Sequence, residues 1–286
     1  MDRGTAKLND LISRIKQSNY DPSLPFEEAF AGAKPVDASR VSLPEKAAII
    51  DPKDHLTGDR LQDFLTMPEW VPTSLGSSCT PKPCHKVDSK QWPALLKKLK
   101  EADMIDFVPW DDVLKERGKP VKGGLFCVAH KTSSDRLIND RRPLNARENR
   151  LNWCSLPSGP MLCQLLLEPS ESLGGSGDDL SNYFYLIKHL KGWIHHNCFV
   201  DPITGVLCVQ LGLDPSQKYL PAFKVVCMGD TNGVDIAQAT HEAILKAARC
   251  MDEHNMLVYG RTFPASRTLE GLYIDDHIVI QVVNKK

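Results

Sequence analysis

Gly271-Leu272-Tyr273-Ile274-Asp275-Asp276-His277-Ile278-Val279-Ile280 is the stretch on which the reading of this 286-residue chain turns. Two adjacent carboxylates stand between two short apolar runs. The runs are rich in the β-branched and aromatic residues that suit strands, and the Asp pair suits the tight turn joining them. At a hairpin tip the backbone can aim a carboxylate outward while the flanking Leu, Ile and Val anchor in a core. Two carboxylates that close repel each other unless a cation lies between them. Such a pair suits a magnesium site for phosphoryl or nucleotidyl transfer. Asp-Asp is also ordinary turn chemistry, so the assignment rests on what stands upstream.

Three upstream segments carry compatible chemistry. In Asp178-Asp179-Leu180-Ser181-Asn182-Tyr183-Phe184-Tyr185, a Gly/Ser-rich stretch leads to a carboxylate at a strand end and then to aromatics. A ring there could pack under an incoming sugar and exclude a 2′-hydroxyl by contact. The same residues also suit a helix N-cap followed by core aromatics. Residues 125–145, LFCVAHKTSSDRLINDRRPLN, read as a hairpin with Lys131 and Arg136 near its tip. Two cations there could clamp a triphosphate, Arg through its fork and Lys as a point charge, or form a solvated basic loop. In residues 222–248 a strand over 223–228 meets a turn, Gly229-Asp230-Thr231-Asn232-Gly233. A run with helical spacing follows, from Val234 to Ala248. A Gly turn lets backbone and base approach closely, although strand–turn–helix units without a ligand are common.

Taken in order, these blocks resemble the reverse transcriptases of retroviruses and long-terminal-repeat retrotransposons. RLINDRRPLN looks like the family's fingers motif. DLSNYFYLI looks like the first palm motif, and its register selects Asp179 over Asp178 and Phe184 as the ring under the sugar. CMGDTNGVDIAQATHEAI looks like the next palm motif, with Gly229 and Asn232 in its places. Tyr273-Ile274-Asp275-Asp276 looks like the catalytic turn. The resemblance covers roughly Gly123 to the end. It implies an RNA-directed DNA polymerase, a nucleotidyltransferase of transposable-element origin, adding deoxynucleotides to a primer 3′ end by a two-metal route. Asp179, Asp275 and Asp276 would be catalytic. Mg2+, or Mn2+ in its place, would be held by Asp179, Asp275, Asp276 and the Leu180 carbonyl. Lys131, Arg136, Phe184, Gly229 and Asn232 would bind the nucleotide. The implied partners are an RNA or DNA template with its primer, and deoxynucleoside triphosphates. Met228 stands where the family often has Pro or Gln, and the 131–136 spacing is short for it. The sequence ends ten residues after Asp276 (286 − 276), before a thumb. The alternative expectation is a catalytically silent retroelement remnant that at most binds nucleic acid, or a non-enzymatic scaffold.

Composition sets the outer bounds. Apolar content of 42% and charged content of 25% are those of a globular protein. No apolar run approaches the ~20 residues that span a bilayer, so no membrane partner is expected. Nine Cys without framework spacing suggest reduced thiols and an intracellular setting, cytoplasm or nucleus alike. The net charge of −1 is no signature of a nucleic-acid binder, but cations gather over 82–100 and 115–150.

The expected organisation has two parts. Residues 1–85 open with an amphipathic pattern (Leu8, Leu11, Ile12, Ile15), become Pro-rich, and are expected to be extended or partly disordered. Residues 86–286 are expected to form the α+β fingers and palm of a reverse-transcriptase-like domain, an antiparallel palm sheet backed by helices, truncated after the Asp-Asp turn, thumb absent. Within this part, Ser89 to Ala102 reads as a helix with Trp92, Leu95, Leu96 and Leu99 on one face. Trp110 to Arg117 reads as another short helix. Residues 192–200 and 206–212 read as a hairpin around Asp201-Pro202-Ile203-Thr204-Gly205.

Overall fold

A computed structural model describes residues 32–67 and 81–285. The pattern over Leu8 to Ile15 lies outside the described residues. In chain order the helices are α1 (Gly58–Thr66), α2 (Trp92–Glu101), the one-turn α3 (Arg142–Asn145) and α4 (Tyr183–Leu186), α5 (Val206–Gln210) and α6 (Gly233–Ala247). The strands are β1 (Ile105–Pro109), β2 (Lys115–Glu116), β3 (Lys119–Pro120), β4 (Gly124–Lys131), β5 (Ser134–Asp140), β6 (Glu171–Asp179), β7 (Tyr219–Phe223), β8 (Thr268–Tyr273) and β9 (Asp276–Asn284). The fold is α+β. All four small sheets are antiparallel: β1 with β7, β2 with β3, β4 with β5, and a three-stranded sheet in the order β6-β9-β8.

Two large apolar clusters hold most of these pieces, and two smaller ones pack β1 with β7 and the β8–β9 hairpin with the segments at 161–165 and 257–263. In the first, Leu95, Leu96 and Leu99 from one face of α2 meet Leu125 and Cys127 of β4, Leu137 of β5 and the stacked rings of Phe199 and Phe223. Each of those three leucines is fully buried, and each such burial contributes about 1.5–3 kcal/mol. In the second, Phe64 and Met67 pack with Tyr183, Ile187 and Trp193, and with Ile236, Ala237 and Ala239 of α6.

Residues 32–57, expected to be extended or partly disordered, are mostly extended but packed. Val36, Ala38, Val41 and Ala47 are buried in the first cluster. The segment runs as a strap across both halves. Lys34 bridges Cys127, Val41 bridges Asp135, and Ile50 bridges Ile187. Proline excludes regular helix here, and the hydrogen bonds go instead to distant backbone partners.

The structure departs from the sequence expectations at α1, a helix within the span expected to be extended or partly disordered, and in three places further along. Over 110–117 there is no helix: β2 and β3 form a minimal hairpin whose turn residues Arg117 and Gly118 both have positive φ, the pattern of a tight primed turn. The Trp110 ring instead carries the ammonium groups of Lys115 and Lys218 over it, 5.3 and 3.4 Å from its centroid. The expected hairpin over 192–212 is replaced by a 3-10 helix, Lys191–Asn197, and by α5. Short apolar runs fit either period, and here Leu207, Cys208 and Leu211 reach the core from a helical turn. The strand expected over 223–228 lies earlier, at β7, with Lys188 and Val225 forming only an isolated bridge.

Candidate active site

The β8–β9 hairpin forms, but its two-residue turn is Ile274-Asp275 rather than the Asp pair, because Tyr273 pairs with Asp276, which opens β9. Only Ile274 of the turn residues has positive φ, +60°. Strand β6 runs beside β9 and ends at Asp179, which pairs directly with Asp276. The Leu180 amide donates to the Asp275 carbonyl at 3.1 Å. Strand pairing thus brings Asp179 to the tip of the Asp-Asp hairpin although 96 positions separate it from Asp275 (275 − 179).

Asp179 and Asp275 line one cleft of about 160 Å³, together with Lys131, Arg136, Leu180 and Phe184. The cations arrive from the β4–β5 hairpin, where Lys131 pairs with Ser134 beyond a register shift at 129–131. Phe184 arrives on α4, whose N-cap, Asn182, is left-handed. Sequence reasoning missed Ser42, His130 and Met228, which also line the cleft. Ser42 comes from the strap, its amide donating to the Asp135 carbonyl at 3.0 Å. No local pattern marks it. Asp276 lies outside this cleft, in an adjoining shallow hollow that it shares with Asp178, Asp179 and Tyr273.

Gly229 and Asn232 line neither hollow. The Asn232 side chain is buried and ties the turn before α6 to the loop at 149–151. Its Oδ1 accepts from the Leu151 amide at 3.0 Å, and its Nδ2 donates to the Asn149 carbonyl at 2.9 Å. Gly229 has φ +102° and lies against the Asn139 carbonyl. Its own carbonyl accepts from Asn145 Nδ2 at 2.7 Å.

The electrostatics of the cleft are those of crowded anions facing cations. Burial pushes the Asp275 carboxyl above its ordinary range, Asp276 and Asp179 push the same way, and Arg136 opposes them. A cation among these carboxylates would relieve that repulsion. Carboxylate oxygens and a backbone carbonyl are hard donors that suit Mg2+. Among the described residues no three carboxylate, His or Cys side chains form a ready-made metal cage. Mg2+ does not demand one, since it keeps waters and is typically held by one or two carboxylates plus substrate phosphate oxygens.

Outside the cleft lining there is a buried ionic network. Arg141, wholly buried, sits 2.6 Å from Glu148 and 3.0 Å from Asp230. Burial disfavours its charge, but the two carboxylates outweigh that and hold it above the ordinary guanidinium range. His189 lies 3.5 Å from Asp230 and is pushed down by burial. The network joins the segment after β5 to the turn before α6.

No family model and no curated relative matches the chain. A solved foamy viral protease-reverse transcriptase in complex with double-stranded DNA is similar to 73% of the chain, at 13% identity and a TM-score of 0.43. The similarity takes in 29% of that protein, so this chain spans less than a third of its length. Among the described residues no helix is long and apolar enough to cross a membrane.

Proposed function

We propose that the cleft is a nucleotidyl-transfer site of the reverse-transcriptase type, with β4–β5 as fingers and the β6-β9-β8 sheet backed by α6 as palm. One observation carries the reading: Asp179 and Asp275, from distant segments, line a single cleft with Lys131, Arg136 and Phe184. Chance clustering of a charged surface does not bring a basic hairpin tip, an aromatic and two carboxylates from separate elements to one hollow. Asp179, Asp275 and the Leu180 carbonyl would hold Mg2+ or Mn2+, with Asp276 at its edge. The metal, when bound, supplies charge neutralisation and alignment for in-line displacement.

The chain's own residues do the rest. Arg136 and Lys131 line the cleft with the carboxylates and would bind the triphosphate oxygens, Arg bidentately. Phe184, which lines the same cleft, would be a wall against a 2′-hydroxyl. Template and primer, RNA or DNA, would contribute mainly backbone phosphates to such a surface, giving strongly salt-dependent binding.

Primer extension on an RNA template with Mg2+, alongside equilibrium binding of dTTP, tests this. The chain should bind dTTP only with divalent metal, Arg136→Ala should weaken that binding about tenfold or more, and Asp275→Asn should abolish extension. Extension that persists in Asp275→Asn, or absence of metal-dependent dTTP binding in the unmutated chain, overturns the proposal.

A further inference from the structure

The turn that carries Asp275 is held from behind by α6. Ile274 has φ +60°, a region that β-branched residues avoid. Such a torsion persists only where its surroundings over-determine it. Here they do. Gln238 grips the turn with both ends of its amide: Oε1 accepts from the Ile274 amide at 2.7 Å, and Nε2 donates to the Leu272 carbonyl at 3.0 Å. His241, three residues further along the helix and so on the same face, places Nδ1 2.8 Å from the Ile274 carbonyl. A carbonyl only accepts, so Nδ1 carries the proton. The Ile274 side chain packs against the cluster of Phe64, Tyr183 and Ile236. Gln238 and His241 are 3% and 5% exposed, and neither lines the cleft. Buried polar side chains are costly unless bonded, and the turn receives these bonds.

We propose that Gln238 and His241 are positioning residues: together they hold residues 272–276 in the left-handed turn and so fix the direction in which Asp275 enters the cleft. The consequence for metal binding rests on the function proposed above; the clamp itself does not.

The two are read separately in the full chain. Hydrogen–deuterium exchange at residues 274–276 reports the clamp. Mn2+ affinity, from the paramagnetic resonance signal of the free ion, reports its effect on the carboxylates. Gln238→Met keeps volume and removes both amide bonds. It should speed exchange at the turn while leaving the β6–β9 pairing protected, and weaken Mn2+ binding about tenfold, as expected for one or two lost hydrogen bonds. His241→Ala should act in the same direction, and His241→Asn, whose amide can donate from a similar place, should restore much of the loss. In an Ile274→Gly background the torsion is no longer adverse, and Gln238→Met should cost less than threefold in Mn2+ affinity. Unchanged turn exchange in both Gln238→Met and His241→Ala overturns the clamp. Faster exchange with unchanged Mn2+ affinity overturns the aiming role. If the unmutated chain binds no Mn2+, the metal site is wrong, and the exchange data still decide the clamp.

Discussion

Gly229→Ala should destabilise the chain severely without acting through a nucleotide. A Cβ built on Gly229 would lie 2.4 Å from the Asn139 carbonyl oxygen, a backbone atom that cannot swing aside. The torsion adds to this, because φ is +102°. An L-residue held at positive φ costs about 1–2 kcal/mol, and forced overpacking about 1–3 kcal/mol. The backbone cannot escape by rotating, since the Gly229 carbonyl accepts from Asn145. The expected loss is about 2–5 kcal/mol, which lowers the thermal midpoint of a chain this long by roughly 3–8 °C. Gly159→Ala is the control: a Cβ there meets nothing within 4 Å, and the change should stay within about 0.5 kcal/mol. Urea denaturation of the three proteins gives the comparison. A Gly229→Ala protein of unchanged stability but weakened nucleotide binding would refute this reasoning and return Gly229 to the nucleotide site.

Asp275→Asn should raise the metal-free unfolding midpoint at neutral pH. Burial and the neighbouring carboxylates raise the folded-state pKa of Asp275, so its favourable contribution is present at low pH and is lost as pH rises through that pKa. The amide removes this loss and should also remove any stabilisation by Mg2+, both read by calorimetry. Arg40→Ala should move acid unfolding to higher pH. The hydrogen bonds from Arg40 and Lys34 hold the Asp135 carboxyl below its ordinary range, and the stability they give is lost as pH falls through that pKa. Arg141→Ala, which leaves Glu148 and Asp230 buried without their cation, should cost about 3–5 kcal/mol in denaturant titrations. Phe184→Ala should raise ribonucleotide use relative to deoxyribonucleotide use in single-nucleotide extension, and unchanged discrimination would assign Phe184 to packing.

How much of this was legible in the sequence depends on how local the signal is. The β8–β9 hairpin, the β4–β5 hairpin, α2 and α6 all announce themselves within a dozen residues, through alternation, a polar turn or a one-sided apolar face. The convergence of Asp179 with Asp275 was not in any local pattern; it followed from motif order, and the β6–β9 pairing shows how it is built. Residues 192–212 misled because short apolar runs fit two periods. Asn232 was expected at the nucleotide only through the resemblance, and nothing local showed that its amide bonds the loop at 149–151. Ser42, Gln238 and His241 matter only through partners far away in sequence, and single-residue chemistry gives no warning of that.

The strap has a consequence for how the chain reaches this structure at all. Its bridge partners lie 93 positions ahead for Lys34 (127 − 34) and 137 ahead for Ile50 (187 − 50). Closing such loops costs entropy before any contact repays it, and topologies built on distant pairings fold slowly. During synthesis these residues precede both of their docking surfaces, so their apolar side chains Val36, Val41 and Ala47 wait in water until the later elements exist. The strap is therefore expected to dock late, locking the β4–β5 hairpin and α4 into register only after each has formed, and a nascent chain paused before residue 187 holds one end of it with nothing to close against.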